Sequence, residues 1–385
     1  MKQLVFYGAG LFAQSNIGEF VNMGYEPVCF ADADTNKHFG TVSTQDGKGF
    51  VILPLSEAIN RYPDYELIVT VIKSSYAKVR DELIESGIEP DRINMPPFYN
   101  MPRDHIFTQL NKMLSDSIVK KIEIFEDHTE VIIDALRNNN PFRMYLYDFS
   151  YDVAMHCFWN KEYEGEETKM LSCILDCLPI DATIFDVGAN VGYFSLCFGT
   201  WFPEMRIHAF EPISYNFEFL KKNTDLNKMD NVTVNNIGLY EKEQTAEFYF
   251  NEIANGAASM KNILSDEAAK KVQCELTTMD LYAEKTGVCV DFIKCDTEGS
   301  ELFVLKGGIE TLKKYNPVII SEIVHFTAFD YKQNDIVSFL AEIGYSCYII
   351  DNGRLVPIEK ITNELKKTNY IFIHSSQREL FSALM

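Results

Sequence analysis

The stretch FDVGANVG, residues 185–192, constrains this chain more than any other. An apolar run, ATIFDV, ends in a turn with glycines at 188 and 192, and the helical-looking YFSLCFGTWF follows. Strand, glycine turn and helix in that order build the ligand-facing edge of a parallel α/β sheet, where small residues let a nucleotide-type ligand press against the main chain. Asp186 narrows the choice. A carboxylate beside the turn repels the pyrophosphate of NAD or FAD and attracts the ammonium and sulfonium of S-adenosylmethionine. Gly188 and Gly192 are four apart and no G-x-G-x-x-G occurs here. The next apolar run, RIHAF, is followed by Glu211, 19 residues after Gly192, where an acid can accept both ribose hydroxyls. A tight turn with a helix-capping acid is the plainer reading, and the ordered set of turn, helix and second-strand acid weighs against it.

The same β-α rhythm opens the chain. QLVFYG, PVCFAD and YELIVTVI alternate with LFAQSNIGEFVNMG and AKVRDELIESG, which predicts a small parallel sheet over residues 1–100. MPPFYNMPRD then punctuates the pattern, and long charged segments such as DHIFTQLNKMLSDSIVKKIEIFEDH predict a helical connector over 101–165. Strand-like runs resume at ATIFDVGAN and continue to YIFIHSS, with a turn at Asn352-Gly353, so residues 166–385 form the second α/β domain. A chain of 385 residues accommodates two such domains.

Charge and composition exclude several classes of function. A net charge of -21 opposes binding to nucleic acid or anionic lipid, which draws on Lys and Arg neutralising phosphates. No apolar run approaches the roughly 18 residues of a membrane span, and MKQLVFYGAG turns into a glycine loop where a signal peptide would carry its apolar core, so a cytoplasmic protein is expected. The nine cysteines are odd in number, lie mostly within apolar runs, and lack both CxxC pairs and histidines at ligand spacing. They read as buried thiols, with no metal site.

FDVGANVGYFSL, HAFEP, NNIGLYE, TTMDLY and IKCDTEGSELFVLKGG together resemble the FkbM-type S-adenosylmethionine-dependent O-methyltransferases, over about residues 166–314. The last run is the most specific, because the family's Ile-Lys-x-Asp-x-Glu-Gly-x-Glu pattern with its following Leu-Lys-Gly is complete. The resemblance implies a doubly wound, seven-stranded class I methyltransferase sheet, and methylation of a hydroxyl, often on a sugar or polyketide. It implies that Asp186, Gly188, Asn190 and Gly192 hold the methionine and ribose side of the cofactor, Glu211 the ribose, and Asn236 and Gly238 the adenine. Met279-Asp280-Leu281 departs from the family's Leu-Asp-Asp, which leaves Asp280 a weak candidate.

Methyl transfer to a hydroxyl needs alignment and a base for the departing proton. Asp296 and Glu298 follow the run VDFIKC, and Glu322 and His325 follow PVIIS; neighbouring parallel strands end on one edge, which makes these four the candidate bases. Each has a structural alternative: Asp296 and Glu298 as helix caps, and His325 as a hydrogen-bonded residue of no catalytic role. Lys294, inside an apolar strand, predicts a buried partner acid at the sheet edge, and His208 reads as core. NEIANGAASMKNILSDEAAKK, residues 251–271, reads either as a lid over the acceptor or as a surface insertion.

Gly8, Gly10 and Asp32 in GAGLFA and VCFADAD match a dinucleotide fingerprint, yet the segment is too short for a full two-half dinucleotide domain. It is similar to the small Rossmann-like domains that precede some sugar acyltransferases, which implies either a nucleotide-sugar site or a docking domain. The resulting expectation is an S-adenosylmethionine-dependent O-methyltransferase acting on a saccharide or a nucleotide- or lipid-linked sugar, with a homo-oligomer left open. A nucleotide-binding regulatory protein with an inactive methyltransferase fold is the alternative, and an NAD-linked oxidoreductase the third reading.

Overall fold

The computed structural model describes residues 3–9, 27–43, 48–70, 73–94, 114–136, 138–146, 153–159, 161–250, 270–324, 331–362, 365 and 367–385. The chain divides into two compact units, Met1–Leu110 and Asn111–Met385.

In the first unit β1 (Gln3–Tyr7), β2 (Pro27–Ala31), β3 (Thr41–Ser43), β4 (Gly49–Leu53), β5 (Tyr65–Val69) and β6 (Ile93–Asn94) form one sheet, ordered β3-β4-β2-β1-β5-β6. Among the described residues only the β3–β4 pair is antiparallel. Val5, Cys29 and Leu67 enter one buried cluster while Phe6, Phe30 and Ile68 enter another. Successive side chains of a strand point to opposite faces, so apolar runs without polar alternation bury both faces of a parallel sheet.

The second unit opens differently from the helical connector expected over 101–165. β7 (Val119–Ile124), β8 (Thr129–Ile133) and β9 (Phe142–Leu146) make an antiparallel sheet. The charges of VKKIEIFEDHTEVII, read above as a helical face, are cross-strand partners: Arg143 Nη1 lies 2.7 Å from Glu123 Oε2 and also bonds Glu130. β-branched residues dominate β7 and β8, and their preference for pleated, half-buried surfaces outweighs the helical spacing of the charges. Nor is the sheet a separate connector. Asn223 Oδ1 and Asn227 Oδ1, on the helix Ser214–Leu226, each accept a β9 amide at 2.8 Å, from Tyr145 and Arg143, covering an edge that would otherwise be unpaired.

The main sheet contains β10 (Thr183–Val187), β11 (Arg206–Phe210) and β12 (Val232–Asn235). A small sheet follows, of β13 (Gly238–Leu239), β14 (Gln244–Phe250) and β15 (Lys270–Thr277), before the main sheet resumes with β16 (Phe292–Cys295), β17 (Val318–Glu322), β18 (Tyr345–Asp351), β19 (Arg354–Ile358) and β20 (Asn369–His374). Its order is β12-β11-β10-β16-β17-β20-β18-β19, eight strands where seven were expected. The extra strand is β19, an edge strand turned back from β18 by Asn352 and Gly353, whose φ values of 50° and 72° suit a tight two-residue hairpin turn. β12, β11, β10, β16 and β17 run parallel, and β20 is antiparallel to both β17 and β18. Strand order reverses at β10, with β11 on one side and β16 on the other. A crevice at the carboxyl ends of these strands is where an open α/β sheet places its ligand.

The crevice is held narrow by glycine. Gly188 has φ +83°, and a Cβ built there would lie 1.8 Å from the carbonyl oxygen of Asp296 on the neighbouring strand end. Gly188→Ala is expected to cost more than about 3 kcal/mol, combining left-handed strain with a backbone collision, and chemical denaturation measures it. Gly287→Ala, at φ +70° with nothing within 4 Å of the added Cβ, is the control and should cost about 1 kcal/mol.

Candidate active site

Two carboxylates organise the turn after β10. Asp186 is 1 % exposed and accepts from the hydroxyl and amide of Ser195 on the following helix. Its Oδ1 is buried with no hydrogen-bond partner among the described residues, and so is Oδ1 of Asn190. Glu211, 4 % exposed at the end of β11, accepts Asn190 N through Oε2 and Ile213 N through Oε1, both at 2.9 Å. Phe210 O accepts from Gly188 N at 3.0 Å and Ala189 N at 2.9 Å, and Ala189 O accepts from Gly192 N at 2.8 Å. The amide groups expected to be free for a ligand at Gly188, Ala189, Asn190 and Gly192 are therefore already engaged. With those four amides engaged and the Asp186 and Asn190 oxygens unpaired among the described residues, the turn suits a cation better than a pyrophosphate.

A cavity of about 300 Å³ opens over this turn. Of the residues expected to hold a cofactor, Asp186, Gly188, Asn190, Glu211 and Gly238 line it, while Gly192 and Asn236 do not. Gly192, at φ +97°, lets the helix Tyr193–Trp201 pack on Leu220, whose Cδ1 would be 2.7 Å from an added Cβ. Asn236 braces the end of β11, its Nδ2 donating to Glu211 O at 2.9 Å and to Pro212 O at 3.2 Å. Asp280 is structural, since its carboxylate accepts the amides of Glu310 and Thr311 at the start of the helix Ile309–Tyr315.

Asp296, Glu298 and Glu322 line the same cavity, as the shared strand edge predicts. His325, Gly10 and residues 251–269 of the suggested lid lie outside the described residues. Neither Asp296 nor Glu298 caps the helix Glu301–Lys306, whose N-cap Ser300 makes no side-chain cap bond. Glu301 braces the loop before it: its Oε1 accepts the amides of Thr297 and Gly299 at 3.0 Å, and its Oε2 accepts from Tyr331 Oη at 2.9 Å. Glu298 sits at φ 51°, a left-handed conformation that non-glycine residues adopt mainly where surrounding structure imposes it.

Lys294 meets the acid its buried strand position demands. Its Nζ is 3.0 Å from Asp296 Oδ2 and 4.6 Å from the centre of the Phe194 ring. Burial pulls its pKa down, but Asp296, Asp186 and Glu164 outweigh that and hold the ammonium above the ordinary lysine range. Around it the acids crowd. Burial, with Asp296 and Glu301 adding repulsion, lifts Glu298 to about 8. Burial also lifts Glu322, which shares a hydrogen bond with Asp296, well above the carboxylate range, and brings Glu164 and Glu211 to about 7.

Glu164, Tyr163 and His156 also line the cavity and were not legible as site residues. They precede the glycine turn by more than twenty positions in AMHCFWNKEYEGEE, an acidic run that reads as an ordinary helix start. His156, on the exposed side of its helix, packs edge-on against Tyr163 at 5.3 Å. In the first unit Asp32 is turned inward: it accepts Ala9 N at 2.7 Å, Asp34 N at 2.9 Å and Lys37 Nζ at 3.1 Å, which leaves little capacity for a ribose. Gly8 stands beside it at φ +106°.

A doubly wound sheet with an acid-flanked glycine turn at its switch point defines an α/β methyltransferase domain. Residues 186–347 match the methyltransferase FkbM domain. It is similar to methyltransferase sdnD of Sordaria araneosa, 30 % identical over 159 residues that cover 34 % of this chain and 61 % of that protein. It is also similar to methyltransferase 1 of Beauveria bassiana, 24 % identical over 147 residues covering 34 % and 59 %. The chain thus spans about three fifths of these relatives' length. Among solved structures, the methyltransferase FkbM of Methylobacillus flagellatus aligns over 97 % of this chain and 90 % of its own at 14 % identity and a TM-score of 0.38.

The cofactor of this family is S-adenosylmethionine, and the residues present fit it: two orphaned buried acceptors beside the turn suit its positive groups, and Glu211 retains lone pairs for hydroxyls. Glu211 binds hydroxyl donors best as the carboxylate, which it becomes as pH rises through about 7. S-adenosylmethionine affinity in the wild type is therefore expected to rise between about pH 6 and about pH 8, with proton release seen by calorimetry in buffers of different ionisation enthalpy. Glu211→Ala should weaken binding by about 1.5 to 3 kcal/mol or more and flatten that dependence; an unchanged profile would remove Glu211 from the site.

Proposed function

We propose that this protein is an S-adenosylmethionine-dependent O-methyltransferase acting on a hydroxyl of a saccharide. The observation that carries the reading is the glycine turn whose amides are engaged and whose Asp186 and Asn190 acceptors are not. An NAD-linked oxidoreductase would need the reverse, donors for a pyrophosphate. Support for a hydroxylated acceptor comes from the cavity's polar lining of carboxylates together with Thr297 and Ser300.

The bound cofactor supplies a methyl group on a sulfonium, so that a neutral thioether leaves. What remains for the protein is alignment and proton removal. Asp186, Asn190 and Glu211 fix the donor over the carboxyl ends of β10 and β11. Lys294 holds Asp296 in an ion pair, and Asp296 in turn bonds Glu322, so these two carboxyls are tied to one another across β16 and β17. Glu298, on the strand edge beside the donor turn and with its pKa raised to about 8, takes the acceptor proton as the hydroxyl oxygen bonds to the methyl carbon.

Glu298→Gln is accordingly expected to lower turnover by about 10²- to 10⁴-fold with S-adenosylmethionine affinity nearly unchanged, and the wild-type kcat/KM should climb with pH to a plateau above about 8. Asp296→Asn should instead destabilise the fold, because it removes the closest counter-charge of a buried ammonium. Full turnover in a folded Glu298→Gln protein assigns the base elsewhere on this edge.

A further inference from the structure

The acceptor side of the cavity carries more carboxyl groups than a neutral saccharide can use. Glu164, Asp296, Glu298 and Glu322 face it with Lys294 as their cation. Asp186 and Glu211 belong to the methyl donor and do not relieve the surplus. A sugar phosphate or a nucleotide-linked sugar would bring further negative charge into this space, so the phosphate-bearing acceptors suggested by the sequence are disfavoured. A neutral sugar leaves the acids crowded.

Rings complete the picture. Tyr163 and Phe194 line the same space, and aromatic faces with carboxylates between them are the lining that recognises an ammonium. Lys294 demonstrates the chemistry internally, lying over Phe194 and against Asp296. A second observation points to a ligand: Ser300 Oγ, on a residue 5 % exposed that lines the cavity, has no hydrogen-bond partner among the described residues. A buried hydroxyl of this kind awaits a polar group of a ligand. A metal ion does not answer the surplus as well, since among the described residues no three His, Cys, Asp or Glu side chains are disposed to hold one.

We infer that the acceptor is a hydroxylated primary amine, an amino sugar within the saccharide reading, whose protonated nitrogen is held by Glu164 and Glu322 while Ser300 bonds a neighbouring hydroxyl. The inference rests on the methyltransferase reading of the same site. Glu164 is at φ 44°, a left-handed position for a non-glycine residue, and it precedes the stretch that matches the family. The nitrogen, protonated and anchored, is not the nucleophile: the hydroxyl oxygen bonds the methyl carbon, the carbon–sulfur bond breaks with its electron pair going to sulfur, and the hydroxyl proton goes to Glu298. The raised pKa values of Glu164 and Glu322 register the same crowding that an incoming ammonium would relieve.

The test uses the full chain with S-adenosylmethionine and a panel of 2-amino hexoses, their N-acetyl derivatives, the parent neutral hexoses and hexose 1-phosphates. Methylated product is followed by mass spectrometry and its position assigned by NMR. The free amines are expected to be preferred by at least about ten-fold in kcat/KM, with the methyl group on oxygen. Glu164→Gln should abolish that preference while S-adenosylhomocysteine affinity stays within about two-fold, which shows the fold and donor site intact. Equal or better use of N-acetylated, neutral or phosphorylated sugars, methylation on nitrogen, or no turnover of any member overturns the inference. Failure of the protein to bind S-adenosylhomocysteine would overturn the methyltransferase reading itself, and the two failures are told apart by that titration.

Discussion

Lys294 is the interaction around which the second unit is arranged. An ammonium 5 % exposed in the middle of a buried strand is tolerable only if carboxylates reach it, and Asp296 and Asp186 come from the ends of the same strand and its neighbour to do so. Without the cation those acids, and Glu164 with them, would face one another in a dry cavity. With it they remain crowded but compatible. The lysine therefore permits an acid-rich pocket next to the turn that suits a positively charged donor.

The second constraint is the path of the main chain after β10. Gly188 N and Ala189 N donate to Phe210 O, and Glu211 ties Asn190 to the chain beyond β11. These bonds fix the turn before any ligand arrives, so the donor site is preorganised. They also engage four amides that a phosphate would otherwise meet at the turn. Specificity between two nucleotide-type ligands is thus set by which backbone groups the turn has already used, and a sequence pattern conveys that only indirectly.

What was legible in the sequence is what is local. The glycine turn, Asp186, Glu211 at the end of the next strand, the buried pairing of Lys294 and the Asn352-Gly353 hairpin each follow from neighbours a few residues apart or from one strand to the next. β7, β8 and β9 were not legible, because their charges recur at helical spacing and only the cross-strand pairing of Arg143 with Glu123 and Glu130 shows that they belong to a sheet. Asn236, Asp280 and Gly192 look like ligand residues by position yet serve the scaffold, since each already meets main chain or Leu220. Glu164, Tyr163 and His156 were missed for the opposite reason: nothing near them in sequence marks a site, and the fold alone brings them to the cavity.

The central claim is that the crevice at β10 and β11 is built for a cationic methyl donor and against a pyrophosphate. Isothermal titration of the wild-type protein with S-adenosylmethionine, S-adenosylhomocysteine and NAD tests it most directly. The account predicts one site for each of the first two, with the sulfonium form bound at least as well as its demethylated product, and no heat from NAD. Binding of NAD in place of S-adenosylmethionine would contradict it.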